Sequence, residues 1–303
     1  MAHDDPEQGL VPRSISRASL GAFDGRLCLR DPRAWSPRPA LIPAEVAGRR
    51  EIRILRDFQI RYEYIISRQA GDLFQEITKD PNVIHKTRNV VSGAMTAAKM
   101  LLPIEVLLPF VRINSAKFRF RAPSFYGERT VSSVWWRSES EGSARLEVSV
   151  IQGQQVVATG TITGVVADAA EAPAVPESSV DKNQLATVAA FMQSLGIDGR
   201  FYFEKNGYRD FTYPVAYVAA LPSGEMVKQF KGDGGMITSL LLDMSEQRKI
   251  PIVSQKGPEV RLRFDRLRKA FSRIFTDIID GVVTHVRGWA VVNSVGEFPY
   301  LQE

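Results

Sequence analysis

In the stretch "EITKDPNVIHKTRNVVSGAM", Glu76 to Met95, a carboxylate (Asp80), an amide (Asn82) and an imidazole (His85) lie close together in the chain. A carboxylate and an imidazole within reach of each other can share a proton, which is what a general acid/base pair does. The same residues have a plain structural use, because Asp-Pro-Asn is a turn sequence and both Asn and Asp cap helices. Histidine is scarce in this chain: His3 stands near the start, and His285 sits in a strand pattern, "VVTHVRG", where a core or edge position is the simpler explanation. If an imidazole does chemistry here, His85 is the candidate. Gly93 follows within a helical pattern, where glycine costs about 1 kcal/mol relative to alanine. Such a glycine lets a helix pack closely on a strand, or frees a backbone N–H to hold an oxygen that becomes negative in a transition state.

The elements that must position these residues follow from periodicity. The segment "REIRILRDFQIRYEYIISRQAGDLFQEIT" is rich in β-branched and aromatic residues and predicts strand structure. A helix is expected from His85 to Leu102, with Val91, Met95, Ala98 and Leu102 on one face and Pro103 ending it. Three strand-like blocks come next, "INSAKFRFRAPSFYG", "ERTVSSVWWRSESEG" and "SARLEVSVIQGQQVVATGTITGVVAD", divided by Gly and Ser turn signals. One helix followed by an antiparallel meander is an α+β layout. The second half repeats that order, with helices expected in "QLATVAAFMQSLG" and "GGMITSLLLDMSEQ", then strands in "PEVRLRF" and "IFTDIIDGVVTHVRGWAVVNSVG". The expected division is an N-terminal arm at residues 1–47, a first domain at 48–168, a linker at 169–182 and a second domain at 183–303. The arm is rich in Pro, Arg, Ser and Gly, and the linker in Ala, Pro, Ser and acid.

With 303 residues, 44% of them hydrophobic and 24% charged, the chain can bury two cores without disulfides, and its single cysteine, Cys28, excludes an intramolecular disulfide framework. Its apolar runs are too short to span a bilayer, and its opening residues carry no secretory-type apolar stretch, so a cytoplasmic protein is expected. The net charge of +5 suits an anionic partner such as a nucleotide, coenzyme A or an acidic carrier protein. The densest basic run, Arg261 to Arg273, reads as a solvated face, and no nucleic-acid motif accompanies it.

"DPNVIH" resembles, at Asp80, Asn82, Ile84 and His85, the D-x-N-P-[LIV]-H core of the MaoC-like hotdog hydratases and dehydratases, the (R)-specific enoyl-thioester hydratase family, with Val83 in place of the usual proline. "VVSGAMTAAKML" resembles the segment that follows in that family, with Ser92 replacing a histidine beside the glycine. The resemblance runs over roughly residues 50–166. It implies a hotdog, a curved antiparallel sheet wrapped around a central helix, and a dyad of Asp80 and His85 that adds water to, or removes it from, the C2–C3 bond of an acyl thioester. Asn82 would organise the dyad, and Gly93, with Ser92 beside it, would supply the oxyanion donor.

"QFKGDGGMITSLLLDMSEQ" is similar to the motif of the β-hydroxyacyl-carrier-protein dehydratases at Phe230, Gly232, Asp233, Met236, Leu240, Leu242, Asp243 and Gln247. Gln229 replaces that family's catalytic histidine and Asp243 falls on its catalytic carboxylate, so this half would hold a vestigial site, since an amide shuttles no proton. The expectation is therefore a double hotdog with one working site, as a monomer or a homodimer. It would act on acyl thioesters of coenzyme A or an acyl carrier protein, with no cofactor, metal, membrane or nucleic acid. Two alternatives stay open at this stage. One is a hotdog thioesterase in which Asp80 activates water against the carbonyl carbon; the other is a non-catalytic acyl-binding or assembly protein.

Overall fold

A computed structural model of the chain describes residues 26–30, 41–46, 49–54, 59–80, 82–108, 111–137, 142–166, 177–197, 211–229, 236–244, 250–253, 257–268, 271–280 and 283–293. His3 and most of the expected linker lie outside the described residues. Two strands, β1 (Arg26–Arg30) and β2 (Leu41–Val46), fall in the expected arm; β1 pairs with β4 (Gln59–Ile65), and β2 forms a hairpin with β3 (Arg49–Ile54).

In β4, Ile60, Tyr62 and Tyr64 alternate inward. Beyond Ser67 the periodicity changes from two to helical, with Gly71, Phe74, Gln75 and Thr78 buried on one face of α1 (Arg68–Thr78). This corrects the strand expected there. Ser67 caps the helix by accepting the Ala70 N–H at 3.1 Å, and Arg68 bridges to Asp72 one turn on. The expected His85–Leu102 helix is in fact two helices, α2 (Val83–Thr87) and α3 (Gly93–Leu107).

Every residue of α3 after Gly93 is buried, as befits a helix that a sheet surrounds. Pro103 does not end it. Proline offers no N–H to the Lys99 carbonyl four residues back, and the Tyr62 hydroxyl donates to that carbonyl instead at 2.8 Å. The strand blocks become β5 (Val111–Phe120), β6 (Arg129–Arg137), and a hairpin of β7 (Ser143–Gln152) and β8 (Gln155–Val166).

The second half supplies α4 (Lys182–Ser194), as expected, then α5 (Val215–Ala220) and α6 (Pro222–Gln229), which were not expected. The helix expected over 234–247 is instead strand β9 (Met236–Asp243). An apolar run such as "MITSLLLD" suits a buried strand as well as a helix, and its place in the sheet decides. β10 (Glu259–Arg268), β11 (Phe271–Asp280) and β12 (Val283–Asn293) complete the half. The Arg261–Arg273 run lies along β10 and into β11; Arg261 and Arg263 face solvent, the latter over the Phe275 ring at 4.8 Å.

Ten strands form one antiparallel sheet in the order β1-β4-β6-β7-β8-β5-β9-β12-β11-β10. Outward from the β5–β9 junction, β5-β8-β7-β6 on one side matches β9-β12-β11-β10 on the other. The helices pair across the same junction, α3 with α5 and α1 with α4. Two hotdogs thus share one sheet and enclose a common helical layer.

Candidate functional site

Asp80 follows the abrupt end of α1. Lys79 adopts a left-handed conformation (φ 55°), and the Asp80 N–H reaches back to the Gln75 carbonyl at 2.9 Å, which turns the carboxylate inward. One oxygen, Oδ1, accepts the Asn82 N–H at 3.3 Å, and the other, Oδ2, accepts the Ser92 hydroxyl at 3.2 Å. Asn82 is the N-cap of α2, accepting the Ile84 N–H at 3.2 Å, so it sets His85 in the first turn. Val83, in the place of the family proline, is the first residue of that helix and half exposed; proline favours such a position without being required in it.

His85 Nε2 lies 3.6 Å from Asp80 Oδ2, with both side chains buried. Its Nδ1 is 2.9 Å from the Val90 carbonyl, which can only accept, so Nδ1 carries a hydrogen and Nε2 is the ring atom that faces the carboxylate. The Val90 carbonyl is itself fixed: Val90 bridges to Phe125, the Val91 N–H donates to Ser124, and the Tyr126 N–H donates to Asn89. The Arg68 guanidinium holds the His85 carbonyl from the other side and lies over the Tyr126 ring at 5.1 Å. Burial raises the Tyr126 pKa, so its hydroxyl stays protonated beside Gln75.

Asp80, Asn82, His85, Ser92 and Gly93 all line one cavity of about 290 Å³. Gly93 is the first residue of α3 rather than an interior one, and Ser92, the N-cap, gives its hydroxyl to Asp80 instead of to the first turn. The first-turn N–H groups have no acceptor within the helix. A β-carbon at Gly93 would meet Ile237 Cβ at 3.5 Å, an ordinary contact, so close packing against the sheet does not demand glycine there.

The expected second site does not assemble in the same way. Gln229 is the last residue of α6, whereas Asp243 is exposed at the end of β9, in register with Ser115 and Arg287, and not on a helix. Phe230, Gly232, Asp233 and Gln247 lie outside the described residues, and His285 is on β12. Sequence reasoning missed the far wall of the cavity, supplied by Met226 and Val227 of α6, Met236 and Ile237 of β9 and Val292 of β12. The unrecognised α6 hid the first two. Among the described residues no group of three His, Cys, Asp or Glu side chains could hold a metal ion, and no helix is long and apolar enough to cross a membrane.

No protein-family model matches the chain, and no curated protein matches it significantly. Solved structures do. A MaoC-like dehydratase superposes with a TM-score of 0.56 at 10% identity, over 78% of this chain and 97% of its own. A Mycobacterium tuberculosis protein described as a double hotdog gives 0.53 at 7% identity, over 76% and 93%. A proposed thioesterase from Novosphingobium aromaticivorans gives 0.50 at 13% identity, over 78% and 96%. With a sheet order that repeats about the β5–β9 junction, this chain is a double hotdog, built on the same plan as the MaoC-like dehydratases.

Proposed function

We propose that the protein is a hydratase or dehydratase of enoyl or 3-hydroxyacyl thioesters, with Asp80 and His85 as its general acid/base pair. The observation that carries this reading is the 3.6 Å approach of two buried groups, Asp80 Oδ2 and His85 Nε2, on the wall of the cavity that Gly93 also lines. A water between them would be held by the carboxylate and give a proton to Nε2 as its oxygen bonds to C3. The electrons move onto the thioester oxygen beside the Gly93 N–H, and C2 then takes a proton from the Nε2–H. Dehydration is the reverse. The bond from Nδ1 to Val90 keeps the ring oriented throughout, and Ser92 holds the carboxylate. The apolar wall from the second half suits an acyl chain, carried on coenzyme A or a carrier protein.

Hydration of trans-2-enoyl-CoA substrates of increasing length tests this, with wild type, Asp80→Asn and His85→Gln compared. Each substitution should lower the rate by about a hundredfold or more. Equal rates in all three would refute the assignment. Release of free thiol in place of hydration would instead favour thioester hydrolysis, the activity proposed for the Novosphingobium aromaticivorans neighbour.

A further inference from the structure

The two halves present equivalent helix starts, Gly93 of α3 and Val215 of α5, and a different group faces each. At α5 it is Glu105, a buried residue of α3: its Oε1 accepts the Val215 N–H and its Oε2 the Ala216 N–H, the latter at 2.9 Å. Glu105 stands 12 residues after Gly93 (105 − 93) in α3, and Val227 of α6 stands 12 after Val215 (227 − 215) of α5. Val227 is buried and lines the cavity beside Gly93. Glu105 thus meets the start of α5 with a carboxylate, whereas the position that corresponds to it by count brings an apolar side chain to the cavity that Gly93 lines.

We propose that Glu105 is the resident occupant of the second half's oxygen-binding position, so that the chain offers one acyl-thioester site, and that the uncharged Val227 leaves the Gly93 position open. Helix-start N–H groups favour a negatively charged oxygen. A carboxylate tethered beside them competes as an intramolecular group, at a high effective concentration. Val227 has no acceptor to offer, and the hydroxyl of Ser92, the N-cap of α3, is turned to Asp80. That the Gly93 position receives a thioester oxygen rests on the function proposed above, whereas the pairing of Glu105 with α5 does not.

Amide hydrogen exchange and enoyl-CoA hydration on the full chain, for Glu105→Gln, Val227→Glu and Val227→Gln, test the proposal. Glu105→Gln keeps the shape but offers one acceptor oxygen in place of two. It should speed exchange at Val215 or Ala216 by about tenfold and leave hydration within roughly threefold of wild type. Val227→Glu should slow exchange at Gly93 and Ala94 and lower hydration by about a hundredfold, to at least about tenfold below Val227→Gln. Unchanged exchange at both Val215 and Ala216 in Glu105→Gln overturns the proposal, as does a folded Val227→Glu that hydrates as fast as Val227→Gln. If Val227→Glu does not fold, Glu105→Gln decides. If the wild type hydrates nothing, the proposed function fails while the exchange measurements still decide what occupies each helix start.

Discussion

The two halves contribute unequally to the helical layer they share. From α3 the first half sends two buried charges across the junction: Lys99 Nζ donates to the Leu195 carbonyl at the C-terminal end of α4 at 2.6 Å, and Glu105 accepts from the N-terminal end of α5. Each charge meets the helix pole of opposite sign. Burying such ions costs several kcal/mol unless hydrogen bonds offset it, and Lys99 also lies 4.5 Å from the Tyr64 ring. In the other direction, α6 and β9 bring mainly apolar side chains to the start of α3, among them Met226, Val227 and Ile237. The first half thus fixes the second by charge, and the second supplies a mainly apolar wall to the cavity that Asp80 and His85 line.

Three substitutions would break or sharpen that contrast. On the proposed function Gly93→Ala should have the largest effect on chemistry, lowering hydration by roughly a hundredfold because the new methyl would stand where the thioester approaches. Its stability should change by less than about 1 kcal/mol, since the methyl meets only ordinary contacts. Thermal unfolding beside the rate assay separates the two effects, and a large loss of stability would mean that the glycine serves packing. Next comes Gly224→Ala on α6, where a β-carbon would stand 2.0 Å from the Thr78 carbonyl oxygen and 2.8 Å from that of Lys79, just before Asp80. Backbone cannot yield there as a flexible side chain would, so a loss of about 1–3 kcal/mol is expected, read as a lower Tm, with hydration falling as Asp80 moves. An unchanged Tm would show that the second half does not hold the Asp80 turn. The smallest effect belongs to Asp243→Ala: its side chain is exposed on β9, so hydration should stay at the wild-type rate and stability within about 0.5 kcal/mol. A clear loss of activity would restore Asp243 to a catalytic role.

Much of the first half could be read from the sequence because its signals are local. Asp80, Asn82 and His85 lie between the end of α1 and the first turn of α2, and a cap, a turn residue and a scarce imidazole are each visible in neighbouring letters. The boundaries of α3 were less legible. Pro103 is an ordinary stop signal, and the Tyr62 hydroxyl that replaces its missing N–H comes from another element. The second half misled for a related reason. Its apolar run at 236–243 carries no periodicity that separates strand from helix, while the true helical stretch holds Pro222 and Gly224, which read as loop. The bonds from Glu105 to α5 and from Lys99 to α4 join residues far apart in the chain, and no short pattern announces them.

The β5–β9 pairing, Ser115↔Asp243 through Arg119↔Ser239, joins the halves by backbone hydrogen bonds within a single polypeptide. Were the same arrangement assembled from two identical subunits, symmetry would place one residue type at both reciprocal helix positions. A glutamate there would shut both sites, and a valine would leave both helix starts uncapped. Covalent fusion removes that constraint. It allows Glu105 and Val227 to diverge, so that, on the proposed function, one copy can serve as scaffold while the other keeps its reactive groups.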